Sequence, residues 1–83
     1  MSILDQAQAA IVERLPGMNL AEVIDGPKYM EPFYRNLYFG PKPGTVAFVF
    51  VIAKPPGRPL VIDPYCSQHL QAIATAVRTE LEP

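Results

Sequence analysis

Residues 45–53 read Thr-Val-Ala-Phe-Val-Phe-Val-Ile-Ala, a run without charge and dense in β-branched and aromatic side chains. Side chains alternate across a strand. Val46, Phe48, Phe50 and Ile52 therefore share one face, and Ala47, Val49, Val51 and Ala53 share the other. A strand on a half-wet sheet alternates apolar with polar, whereas this one is apolar on both sides. The pattern predicts a central strand whose large face, carrying Phe48 and Phe50, meets the domain core. The smaller face must be covered as well, and a second subunit is one candidate. The run is far too short for a membrane helix, which takes about 20 residues.

Helical periodicity frames this strand on both sides. Leu4, Ala7, Ile11 and Leu15 fall on one stripe, with Gln6, Ala9 and Glu13 facing away. Ser2 and Asp5 make a capping-box-like pair, and Pro16-Gly17 ends the segment. The spacing predicts a helix over 3–15. Near the other end, Asp63 suits a cap and Pro64 a first helical position. Cys66, Leu70, Ile73, Ala74, Val77 and Leu81 then form a core stripe, predicting a helix over 64–81. A neighbouring stripe of Tyr65, His69, Ala72 and Ala76 is mostly small. It admits a close backbone, either the first helix or the same helix of a second copy.

Residues 19–25 fit a strand or a single helical turn. The strand is preferred because a lone central strand needs partners. Residues 33–39 fit another strand, while Glu31-Pro32 could instead open a short helix, and Gly40-Pro41-Lys42-Pro43-Gly44 makes a hairpin into the central strand. Lys54-Pro55-Pro56-Gly57-Arg58-Pro59 leads to a short strand over 60–62, a second hairpin with a longer loop. The expected fold is α+β: a small, mostly antiparallel sheet of three to four strands, with N-terminal and C-terminal helices packed on one face. That leaves the other sheet face for a partner.

Size sharpens the point. A chain of 83 residues reads as a single domain, 1–83, and buries only about 60–65% of its unfolded surface. Disulfides, metals or oligomerisation usually support such a chain. One cysteine, Cys66, excludes an internal disulfide, and no Cys/His cluster suggests a structural zinc. Self-association or docking in a larger assembly is what remains.

The net charge of −1 argues against a generic nucleic-acid binder, and no nucleic-acid partner is expected. Charge is segregated, however. Lys28, Arg35, Lys42, Lys54 and Arg58 stand against Glu31 alone in residues 28–58, while acids dominate both ends. A solvated surface explains this, and so does head-to-tail contact between copies. Asp5 and Glu13 interrupt the N-terminal apolar residues, so no signal peptide is expected. Neither is a membrane association. The expected location is the cytoplasm, or a particle assembled there.

Reactive chemistry is sparse. Cys66 and His69 sit three apart, a spacing that shares a helix face, with the thiol in the first turn. Register with Leu70, Ile73 and Val77 favours a buried core cysteine instead. No phosphate-cradling glycine loop and no carboxylate pair stand out. No catalytic residue, metal ligand or cofactor is assigned. The aromatic stretch 29–39 holds five of the eight aromatic residues, a composition typical of protein contact surfaces. Tyr29, Phe33, Tyr34, Arg35, Tyr38, Val49 and Val51 are the candidate interface residues. Pro55 to Pro59 has a Pro-x-x-Pro spacing, for which a loop tip is the plain reading.

The order of elements and the proline-punctuated hydrophobic strand resemble small bacteriophage structural proteins that form rings at tail or neck junctions. The resemblance covers architecture and no motif, so no functional residue carries over. The expectation is a non-enzymatic protein–protein interaction module, self-assembling or docking into a larger assembly. Two alternatives stand beside it: a small inhibitor of one host protein, and a small enzyme or ligand-binding domain using Cys66 and His69.

Overall fold

A computed structural model describes residues 1–27, 33–66 and 69–82. Helix α1 (Ile3–Glu13) is followed by strands β1 (Asn19–Asp25), β2 (Tyr34–Gly40), β3 (Phe48–Ala53) and β4 (Val61–Tyr65), then helix α2 (Gln71–Leu81). The sheet is a four-stranded antiparallel meander in the order β1-β2-β3-β4. Both helices lie on one face, α1 over β2 and β3 and α2 over β4, and they pack on each other. The α+β arrangement expected from the pattern is therefore the observed one, and residues 19–25 form a strand.

Local chemistry starts α1. The Asp5 backbone N–H donates to Ser2 Oγ at 3.1 Å and the Ser2 N–H to Asp5 Oδ2 at 3.3 Å, a complete capping box. Leu4, Ala7, Ala10 and Ile11 are buried. The helix ends before Leu15, which still packs against the core. Arg14 caps it and forms an ion pair with Glu80 of α2.

The core sits between the helices and the large face of β3. Phe50 and Ile52 are fully buried beside Leu37, Phe39 and Ile62 of the flanking strands. Phe48 and Phe39 stack with ring centroids 5.5 Å apart, and Phe50 meets both edge-on. The turn into β3 depends on Gly40: a Cβ there would stand 1.9 Å from the Thr45 carbonyl oxygen. Residues 45–47 precede the strand, so Val46 is 55% exposed rather than part of the core. The Ala47 N–H still donates to the Phe39 carbonyl at 2.7 Å.

The C-terminal helix differs from expectation. Asp63 and Pro64 do not open it; they belong to β4, where Pro64 lies opposite Phe50 and is buried. Leu60, Ile62 and Pro64 are buried and Val61, Asp63 and Tyr65 exposed, so a period of two prevails over the capping signal. Proline is tolerated because β4 is an edge strand, where a missing N–H removes no ladder bond. Cys66 then turns the chain at φ 77°, an uncommon left-handed conformation for a residue with a Cβ. The helix starts seven residues later than expected, after Leu70, which has no side-chain cap bond. Leu70, Ala74 and Val77 are buried and Ile73 and Leu81 partly so, but Cys66 lies outside that stripe and is exposed.

Three charged contacts fasten the far end of α2. Arg78 Nη1 donates to the Ile62 carbonyl at 2.7 Å, Glu82 accepts the Leu60 N–H, and Lys54 Nζ stands 3.4 Å from Glu82. Phe50→Ala empties the centre of the aromatic cluster. It is expected to cost about 3–5 kcal/mol, read as the fall in the urea unfolding midpoint.

Candidate functional site

Strand alternation sorts the interface candidates onto two sides of the sheet. On the side away from the helices, Tyr38 pairs with Glu22 and Val49, and Val49 with Tyr65. The next row reads Ile24, Asn36, Val51 and Asp63, and a third holds Tyr34, Ala53 and Val61. Tyr65 is 53% exposed, Ile24 44%, and Tyr34 and Val61 38% each, so this face keeps substantial apolar surface in water. Tyr38, Val49 and Val51 are half-buried along its middle. None of the described elements lies over it, because both helices occupy the opposite face.

Four of the seven interface candidates, Tyr34, Tyr38, Val49 and Val51, thus come together on one surface. Tyr65, Ile24 and Val61, which are not among the interface candidates read from the sequence, join them. Tyr65 was hidden by the helix expected at 64–81, and Ile24 and Val61 lie in edge strands without a strong alternating signal. Tyr29 lies outside the described residues. Phe33 packs against the core instead.

Arg35 lies apart from the other candidates. One residue out of phase with Tyr34 and Tyr38, it points to the helix side, where its side chain is only 14% exposed. Its Nε donates to Asp25 Oδ1 at 2.6 Å, and its Nη1 to Asp5 Oδ1 at 2.7 Å and Gln8 Oε1 at 3.0 Å. One guanidinium thereby ties β1, β2 and the first turn of α1 together, as its fork of donors allows. The Arg35 bond holds the Asp5 carboxyl below its ordinary value, with the Ser2 bonds adding to the effect. Asp25 and then Asp5 hold the guanidinium more firmly protonated than usual. Two cations of the 28–58 segment, Arg35 and Lys54, thus find acids of the chain's ends within one molecule, and Arg14 pairs with Glu80.

A second surface is an open groove of about 620 Å³ between α1 and β1. Val12, Ala9 and Leu20 supply its apolar wall, and Gln8 and Glu13 its polar one. It exists because the helices do not reach across β1, whose residues are exposed apart from a half-buried Leu20. Its wide mouth and short apolar wall do not enclose a small molecule.

The Cys66–His69 pair does not share a helix face: Cys66 directly follows β4 and His69 lies in the turn before α2. Among the described residues, no group of three His, Cys, Asp or Glu side chains gathers to hold a metal ion. No described helix is long and apolar enough to cross a membrane. Comparison with protein-family models, curated proteins and solved structures finds no match.

Two outcomes test these placements. Arg35→Met is expected to lower stability at neutral pH by about 1–2 kcal/mol. Because Asp5 titrates below its ordinary 3.8 in the folded chain, its contribution is whole above that value. It is lost as pH falls through the lowered folded value. The wild type should lose stability over that range, and Arg35→Met should lose less, as read from urea midpoints across the acid range. Cys66 should alkylate in the folded protein without denaturant, with the thermal midpoint unchanged; a thiol that reacts only on unfolding would contradict its exposure.

Proposed function

We propose that this chain is a non-enzymatic protein–protein interaction module that docks through the open face of its sheet, onto another copy or into a larger assembly. One observation carries the reading. Tyr34, Tyr38, Tyr65, Ile24, Val49 and Val51 form a contiguous aromatic and aliphatic surface that no described element covers. Contiguous exposed apolar surface rimmed by polar groups marks contact sites. Tyrosine suits such sites, since its ring buries apolar area while the hydroxyl keeps a polar partner. Glu22 and Asp63, on the two edge strands, supply the polar fringe. The module works in the cytoplasm, or within a particle assembled there. A small inhibitor of one host protein would use the same face against a foreign surface.

Capture from extract tests the reading, with the wild type, Val49→Lys and Val12→Lys each as bait. Val49 lies in the middle of the open face, and Val12 in the groove beside α1. A bound species, either the chain itself or another protein, should be retained by the wild type and Val12→Lys and lost with Val49→Lys. Far-ultraviolet circular dichroism establishes that all three are folded. If nothing bound depends on Val49, the open face is not the docking site.

A further inference from the structure

Resting on that reading, we infer that the occupant of the open face is a second copy of this chain, laid face to face about a two-fold axis running along the strands between β2 and β3. The argument is one of shape and charge. On the open face β2 carries the long side chains of Tyr34 and Tyr38 with the short Asn36 between them, while β3 beside it carries Ala53, Val51 and Val49 in matching rows. A tall ridge therefore lies directly alongside a low trough. A half-turn about an axis between them lowers each ridge into the trough of the other copy. Tyr38 then lies over the partner's Val49, and Asn36 over the partner's Val51.

The same half-turn sets β1 over β4 of the second copy. Glu22 meets the hydroxyl-bearing ring of the partner's Tyr65, since both stand in the row of Tyr38 and Val49. Ile24 meets the partner's Asp63. Neither carboxylate faces another. A two-fold axis across the strands, centred on the middle row, would set Tyr38 over the partner's Tyr34 and Asp63 over the partner's Asp63. That arrangement opposes bulk to bulk and like charge to like charge. Strands of the two copies would run nearly aligned, as face-packed sheets do at about 30°.

The test is an exchange of charge between facing positions. Sedimentation equilibrium from low micromolar to several hundred micromolar should give the wild type the mass of two chains. Val49→Lys and Tyr38→Glu should each give the mass of one, because each sets a charge against an apolar surface. Mixed in equal amounts they should recover the two-chain mass: the introduced ammonium of one copy faces the introduced carboxylate of the other, and the second ridge and trough remain native. Val51→Lys with Asn36→Glu repeats the exchange one row along, should a first variant fail to fold. A wild type of single-chain mass throughout overturns the inference, as does a dimer that neither variant dissociates or a mixture that stays monomeric. A single-chain mass together with Val49-dependent capture of another protein would reject self-pairing alone and leave the docking face standing.

Discussion

A strand that is apolar on both faces needs cover on both faces, and the described elements of this chain cover only one. Each helix has eleven residues, about 16 Å of length. They lie over β2, β3 and β4 and do not reach across β1. Both are spent on the core side. Everything specific about the surface follows from this shortfall: the half-buried Val49 and Val51, the exposed Tyr34 and Tyr65, and the bare outer strand β1.

Polar contacts fix how the helices sit on the side that receives them. Arg35 reaches from the middle of the sheet to the first turn of α1, which fixes that helix over β2 and β3 and draws in Asp25 of β1. Arg78 and Glu82 bind the end of α2 to the strand β4 and the loop before it. Arg14 and Glu80 join the two helices. These contacts are partly solvated, so each is modest in energy. Their value is positional: they hold the helices in register on one face while apolar burial supplies the larger driving force. They also leave Tyr38, Val49 and Val51 with no described cation in their rows, so the open face is aromatic and mildly acidic rather than basic.

Much of this was legible in the sequence where one signal acted alone. The period of two in 45–53, the capping pair Ser2 and Asp5 and the stripe of Leu4, Ala7 and Ile11 each pointed to the element observed. Legibility failed where two signals competed. Asp63-Pro64 carries both a helix start and the even phase of Leu60, Ile62 and Pro64, and cross-strand pairing with Phe50 decided for the strand. That choice moved Cys66 from a core stripe to an exposed turn, and moved Tyr65 onto the open face. Arg35 shows a different failure. Its composition suited a contact surface, but its odd phase between Tyr34 and Tyr38 already assigned it to the opposite side. Val49 and Val51 could be placed on the smaller face from the strand alone, but which face the helices cover is a property of the whole chain.

The two edges of the sheet narrow how copies or partners can meet it. An open edge strand invites lateral pairing, and natural sheets blunt it with proline, charge or a bulge. On β4, Pro64 has no N–H to offer an incoming strand, and Cys66 turns the chain away directly after Tyr65. On β1 the register slips between Leu20 and Glu22, and Glu22 and Asp25 place carboxylates along the strand. Growth by adding strands side by side is therefore discouraged at both ends, which also guards against open-ended aggregation. The broad face has no such guard. Its charges stand at opposite corners, Glu22 on the first strand and Asp63 on the last, and its centre is Tyr38, Val49 and Val51. A surface blunted at its edges and left apolar across its middle directs association through the face.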